Sequence, residues 1–147
     1  MATFLSTMEI LIFLKKIPLF SSLELEDLLQ LKEVTSERHY KKGEYIIRQN
    51  ESGNEAFIVI NGLVDVIKQE GAKELKITSF EQYDYFGLMS IIENEPRSAS
   101  IRAATDCMLL SINGNRFKEM IQTNAVIAFD IARVFSRRMR EMNVQIK

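Results

Sequence analysis

The residues best suited to do chemistry lie in one short stretch, Tyr85-Phe86-Gly87-Leu88-Met89-Ser90-Ile91-Ile92, followed by Glu93-Asn94-Glu95-Pro96-Arg97-Ser98-Ala99-Ser100. Gly87 allows a tight turn and a close approach of backbone to a ligand, because no Cβ stands in the way. A one- or two-turn helix from Leu88 to Ile92, closed by Asn94 and Pro96, aims its unpaired leading N–H groups and the positive end of its dipole at whatever lies before it. Arg97 returns from the far side of the loop with a planar fork that matches phosphate oxygens two at a time, and Ser98 adds a hydroxyl. Together these make a phosphate cup. Taken singly, an arginine after a proline also reads as a solvated surface charge, and Glu93 or Glu95 on the same loop offers it a carboxylate when no anion is bound.

Other reactive side chains are sparse. The single histidine, His39, follows Arg38 in a predicted strand with no nucleophile or carboxylate at a telling spacing, and reads as a surface residue. The single cysteine, Cys107, sits beside Met108, Leu109 and Leu110 and reads as an inert buried thiol. One histidine and one distant cysteine leave no zinc cluster and no multi-histidine metal site of the cupin type. With no Walker loop, nucleophile elbow or paired carboxylates beside a histidine, no catalytic residue, no metal and no cofactor are expected.

The elements that must position the cup follow from periodicity. Ser6 and Glu9 form a capping-box pair, with Leu5 and Ile10 at the staple positions, so a helix runs from Ser6 to Leu14. Pro18 redirects the chain. A second helix, from about Leu23 to Lys32, carries Glu24, Glu26 and Asp27 in its first turn; its cap is Ser21, Ser22 or Glu24. From Val34 the pattern changes to β-branched and aromatic runs broken by glycine at 43, 53, 62 and 71, which predicts strands at 34–40, 44–49, 55–60, 62–69 and 73–80. Asn61-Gly62 between two apolar runs is a hairpin signal and predicts that the flanking strands pair. Strands at 98–104 and 106–112 follow, then a helix capped by Asn113 and a last helix from Ala125 onward. The fold class is therefore mainly β: a sandwich or barrel of short strands over 34–112, with N-terminal helices in 1–33 and C-terminal helices in 113–147, as a single domain.

Composition agrees with that size and excludes other roles. The 147 residues are 46% hydrophobic, enough for one core. Nineteen basic against 20 acidic side chains leave a formal charge of −1, without the strongly positive field of a nucleic-acid binder, so any anion must be caught locally. The longest apolar run near the N-terminus, Ile10 to Leu14, is too short to span a bilayer, and no export signal is visible. The expectation is a cytoplasmic protein. Along the last helix Ile131, Phe135, Met139, Met142 and Ile146 form one apolar stripe, whose far part needs a partner. Arg133, Arg137, Arg138 and Arg140 give the same helix a basic side, with Glu141 placed to pair with Arg137.

These features together resemble the cyclic-nucleotide-binding domain family, whose phosphate-binding cassette reads Phe-Gly-Glu, an alternation of small and apolar residues, a short loop, and Pro-Arg-(Ala or Ser)-Ala. Phe86-Gly87 and Pro96-Arg97-Ser98-Ala99 match it within residues 85–99, and Lys42-Gly43-Glu44, Gly53, Gly62 and Phe57-Ile58-Val59-Ile60 match earlier in the roll. The resemblance implies that the strands over 34–112 form a double-stranded β-helix, a jelly-roll β-roll, that Arg97 pairs with a cyclic phosphate, that Ser98 hydrogen-bonds to it, and that the amides after Gly87, from Leu88, Met89 and Ser90, complete the cup. Alignment with the catabolite activator protein places adenine contacts near Met142 and Asn143 and makes the last helix a homodimer seam. The family's transcription factors continue into a DNA-binding domain; these residues hold none, so no direct DNA binding is expected. Leu88 stands where the family has the glutamate that accepts the ribose 2′-hydroxyl, and a leucine accepts no hydrogen bond. Three readings follow: weaker binding of cAMP or cGMP, a changed ligand, or a vestigial pocket in a module that only joins partners.

Overall fold

The computed structural model describes residues 5–142. Its elements are α1 (Thr7–Lys15), a 3₁₀ turn (Pro18–Phe20), α2 (Leu25–Glu33), β1 (Thr35–Tyr40), β2 (Tyr45–Ile47), β3 (Glu55–Asn61), β4 (Val64–Glu70), β5 (Lys73–Phe80), β6 (Tyr85–Phe86), α3 (Leu88–Glu93), β7 (Ser100–Ala103), β8 (Cys107–Asn113), α4 (Gly114–Thr123) and α5 (Ala125–Met142). Two antiparallel four-stranded sheets, β1-β8-β3-β6 and β2-β7-β4-β5, form the jelly roll. Among the described residues no helix is long and apolar enough to cross a membrane.

Strand alternation builds two cores from one sheet. Successive side chains of a strand point to opposite faces. Ala56, Ile58 and Ile60 of β3, with Leu110 and Ile112 of β8, therefore join the helical layer of Leu14, Phe20, Leu31, Phe117 and Ile127. Phe57 and Val59, with Cys107 and Leu109, point the other way and meet Ile47, Val64, Phe86 and Ile101 between the sheets. A strand covered on both faces reads as an unbroken apolar run, which is what Phe57 to Ile60 shows.

That double burial also corrects the hairpin expectation. Asn61-Gly62 is a turn, but β3 and β4 do not pair: each belongs to a different sheet, and the turn is a corner between them. Gly62 makes the corner at φ +103°, where a Cβ would lie 2.5 Å from the carbonyl oxygen of Asp106. The local dipeptide specifies a reversal, while the partner of each strand is set by which face can be buried.

The capping box of α1 forms as expected, with Ser6 Oγ accepting from Glu9 N and Glu9 reaching back to Ser6 N. Glu24 is the cap residue of α2, without a side-chain bond. His39 lies on the surface beside Glu37. The buried Cys107 thiol donates toward the carbonyls of Leu63 and Thr105, and burial pushes its pKa up, so it is the inert core thiol expected.

Between α4 and α5 a single side chain fixes the entry of the last helix. Asn124 Oδ1 accepts from the amides of Val126 and Ile127, while its Nδ2 donates to Asp27 Oδ1 at 2.7 Å and Gln30 Oε1 at 3.0 Å on α2. Asn124→Ala removes a helix cap and an inter-helix tie together, and should lower the unfolding free energy by about 2 kcal/mol in a urea titration.

Candidate functional site

The phosphate-cup residues converge because β6 is paired at its only two positions. Phe86 lies opposite Phe57 and Tyr85 opposite Ile58 on β3, and the Phe86 ring stacks on Phe57 and Phe80 at centroid distances of 5.4 and 5.8 Å. Gly87 then turns the chain at φ +85° and becomes the N-cap of α3, with no side chain capping the helix. A residue with a Cβ adopts this left-handed conformation at a cost of roughly 1–2 kcal/mol. The leading amides of α3 thus face the space that Gly87 leaves open.

Arg97 is held from both ends. Its N–H donates to Glu51 O at 3.0 Å and its carbonyl accepts from Asn50 N at 2.8 Å, which fastens it to the loop between β2 and β3. Its side chain is only 6% exposed. Nη2 donates to Glu55 O at 2.6 Å and Nη1 to Gly87 O at 3.3 Å. Both acceptors are neutral carbonyls. The nearby Glu55 carboxylate is engaged elsewhere, by Arg38 at 2.6 Å and by the Ser111 hydroxyl. Among the described residues no carboxylate lies within ion-pair distance of Arg97. Glu93 and Glu95, which the sequence offers as partners, stay exposed on their loop and leave the guanidinium to the two carbonyls.

Burial pushes the Arg97 pKa down and the charge of Glu55 opposes that shift, yet a guanidinium stays protonated at any ordinary pH. The site therefore holds a buried cation whose charge is not balanced by a bonded anion, an arrangement that an incoming anion relieves. Two glycines frame it. A Cβ on Gly53 would lie 2.2 Å from both Nε and Nη2 of Arg97, and one on Gly87 would lie 2.9 Å from Nη1.

The same guanidinium opens onto a cavity of about 580 Å³, within the usual size of a small-molecule site. Ile47, Val66, Phe80 and Ile101 supply an apolar wall from between the sheets. Phe86, Gly87, Leu88, Met89 and Ser90 supply a second wall, Arg97, Ser98 and Ala99 a third, and Phe135, Arg138, Met139 and Met142 line it from α5. Among the described residues that line it there is no aspartate, glutamate, histidine, lysine or cysteine, and its charged side chains are Arg97 and Arg138, a lining suited to an anion.

The model of the cyclic nucleotide-binding domain matches residues 37–124, more than half of the chain. The chain belongs to the cyclic nucleotide-binding domain family. Among curated proteins this domain is 28% identical over 109 residues to a cAMP-dependent protein kinase regulatory subunit of Emericella nidulans, covering 74% of the chain and 26% of that protein. It is 34% identical over 113 residues to a cGMP-dependent protein kinase of Drosophila melanogaster, covering 74% of the chain and 12% of that protein. The domain thus spans about a quarter or less of the length of these relatives. Among solved structures it is similar to the catabolite activator protein of Thermus thermophilus, with a TM-score of 0.75 and 27% identity over 88% of this chain and 61% of that one.

Eight of the nine residues singled out in the sequence line this cavity of the cyclic nucleotide-binding domain: Phe86, Gly87, Leu88, Met89, Ser90, Arg97, Ser98 and Ala99. Asn143 lies outside the described residues. Leu88 is 3% exposed and also packs into the helical core, so the cavity lining is apolar at this position. The stripe of α5 divides as its spacing implies: Ile131 is buried in the core, Phe135, Met139 and Met142 line the cavity, and Ile146 lies outside the described residues. Sequence reasoning missed Tyr85 and Arg138 as cavity residues, and Gly53 as the neighbour of Arg97. Arg138 carried a signal, its place on the apolar-stripe side of a basic helix; Gly53 carried none beyond its match to the family pattern.

Proposed function

We propose that this domain is a regulatory sensor that binds a cyclic nucleotide in the cavity, with the cyclic phosphate on Arg97, Ser98 and the leading amides of α3, and that it signals through α5. The observation that carries this reading is the buried Arg97 guanidinium, bonded only to carbonyls and open to the cavity. A scaffold that binds nothing gains no stability from that charge, whereas an anion-binding site requires it. The lining residues support binding rather than catalysis. The similarity to a cAMP-dependent protein kinase regulatory subunit and to a cGMP-dependent protein kinase supports the same ligand class.

Signalling follows from the lining. Phe135, Arg138, Met139 and Met142 belong to the cavity and to α5 at once, so a ligand that touches them favours one helix position over another by the difference in its contacts. The signal is then the population of the seated helix.

Leu88 sets the ligand's limits. It cannot accept from a ribose hydroxyl, and loss of a hydrogen bond to a charged acceptor, worth roughly 1.5–3 kcal/mol, leaves affinity about tenfold to a hundredfold below that of a glutamate-bearing site. Calorimetric titration with cAMP and cGMP tests the reading, alongside thermal unfolding, where ligand at a hundred times its Kd adds about 2.7 kcal/mol. The 2′-deoxy analogue of the tighter nucleotide should bind within about twofold of its parent. Absence of binding by either nucleotide would leave the non-binding interaction module as the better account, and a tenfold penalty for the deoxy analogue would show that another group reads the hydroxyl.

A further inference from the structure

The outer face of α5 is a separate surface from the one that lines the cavity. Val126 and Phe129 are 53% and 69% exposed there, and Phe129, Ala132, Arg133, Ser136, Arg137 and Arg140 border a hollow of about 470 Å³. Val126, Phe129, Arg133, Arg137 and Arg140 step by three and four along the chain, so they stand in one row on the helix. At 1.5 Å per residue the row is about 21 Å long. It is apolar at one end and basic along the rest. Arg133 donates to Asp130 Oδ1 at 3.1 Å and to Ser22 Oγ at 2.6 Å, both from Nη2, which leaves the donors of Nη1 and Nε for a partner. Among the described residues no carboxylate lies within ion-pair distance of Arg137 or Arg140, and Glu141, which the spacing offers to Arg137, does not reach it. Exposed aromatic rings and arginines side by side are the residue types enriched in protein interfaces.

The charge of the row selects its occupant. A second copy of the chain, paired through this face about a two-fold axis, brings another basic row into the same interface and no carboxylates to neutralise either. An anionic bilayer is held by clusters of about four to eight basic residues or by a broad apolar face; three arginines beside Val126 and Phe129 supply neither. A helix with carboxylates at the same three- and four-residue spacing meets the arginines in turn, and an apolar side chain one turn away covers Phe129. We propose that the outer face of α5 docks an acidic amphipathic helix of another protein, with Arg137 and Arg140 as its charge contacts, Arg133 as a third and Phe129 as its apolar anchor. None of these residues lines the cavity, so the inference stands apart from the cyclic-nucleotide reading.

The test is fluorescence anisotropy of the unaltered chain with two labelled helical peptides of about 16 residues, long enough to cover the row. One carries glutamates spaced four and three apart, with a leucine one turn from the first; the other carries lysines at the glutamate positions. The acidic peptide should bind at least about tenfold tighter than the basic one, and should weaken as salt is raised, because exposed charge pairs are screened. Arg137→Glu combined with Arg140→Glu should lower its affinity by at least about tenfold, and Phe129→Ala by about tenfold. All three positions are exposed, and circular-dichroism spectra matching the parent's confirm that the variants fold; the comparison of the two peptides needs no variant at all. Equal binding of the two peptides, or acidic-peptide binding that survives the double charge reversal, would overturn the proposal. So would capture of the chain by phosphatidylserine-containing vesicles at lower concentration than by the peptide, or a dimer in sedimentation that the double reversal dissociates. Each of these results leaves the cyclic-nucleotide reading where it stands, since that reading is tested by nucleotide titration at the cavity.

Discussion

Arg97→Ala lowers cyclic-nucleotide affinity by at least about a hundredfold, the largest single effect expected from any side chain in the cavity. Removing one member of a buried, hydrogen-bonded charge pair costs roughly 2–5 kcal/mol, and each tenfold of affinity is about 1.4 kcal/mol. The geometry places Arg97 at the upper part of that range, because the residue is almost fully buried. Unliganded stability moves less. The substitution leaves the carbonyls of Glu55 and Gly87 without their donor, which destabilises, but it also removes a buried charge, which offsets part of the loss. Arg97→Lys separates charge from shape: it keeps the cation and loses the fork, and should fall between the parent and the alanine variant. Calorimetry on the three proteins, with urea titrations beside it, checks the ordering. An alanine variant that binds as tightly as its parent would remove the phosphate cup from the account of this domain.

Gly53→Ala should reduce affinity by about tenfold or more although residue 53 lies outside the main cavity and provides no group to a ligand. A methyl there would stand 2.2 Å from two guanidinium nitrogens, well inside contact distance, so the guanidinium must leave its place between Gly53 and Gly87. The end of an arginine side chain moves more easily than backbone, so the fold survives, with an overpacking cost of roughly 1–3 kcal/mol. The two carbonyl bonds at 2.6 and 3.3 Å are the contacts it gives up. A double-mutant cycle gives the decisive reading. If Gly53 acts only by positioning Arg97, Gly53→Ala in the Arg97→Ala background costs almost nothing in affinity, and the two effects fail to add. Additive losses would mean that Gly53 influences the cavity by another route, such as the shape of the loop between β2 and β3.

How much of this could be read from residues alone divides along the range of the forces involved. The capping box at Ser6 and Glu9, the cap at Asn113, the break at Gly87 and the short helix after it were legible, since each is decided within a few residues by backbone geometry and hydrogen bonding. The alternation of apolar residues likewise indicated a β-roll with helices at both ends. β6 was not legible, because a two-residue strand has no period; it exists only because β3 offers an edge at Phe57 and Ile58. The separation of β3 and β4 into different sheets was likewise invisible, since the turn between them has the composition of a hairpin and only burial on both faces of β3 decides its neighbours.

At the site, the sequence by itself determined the chemistry available: a guanidinium, a glycine turn, two serine hydroxyls and a leucine at position 88. Only the tertiary structure decided where that chemistry is aimed. It brings Glu55 O, 42 positions away in the chain, onto Arg97, and turns the carboxylate of the same residue toward Arg38 and Ser111. It also places Arg138 of α5 against the Tyr85 ring of β6 in the cavity lining. Residue type fixes what a side chain can donate or accept, but whether its charge is buried, balanced or left open to a ligand depends on strand pairings and helix packing between distant segments, and no local pattern encodes them.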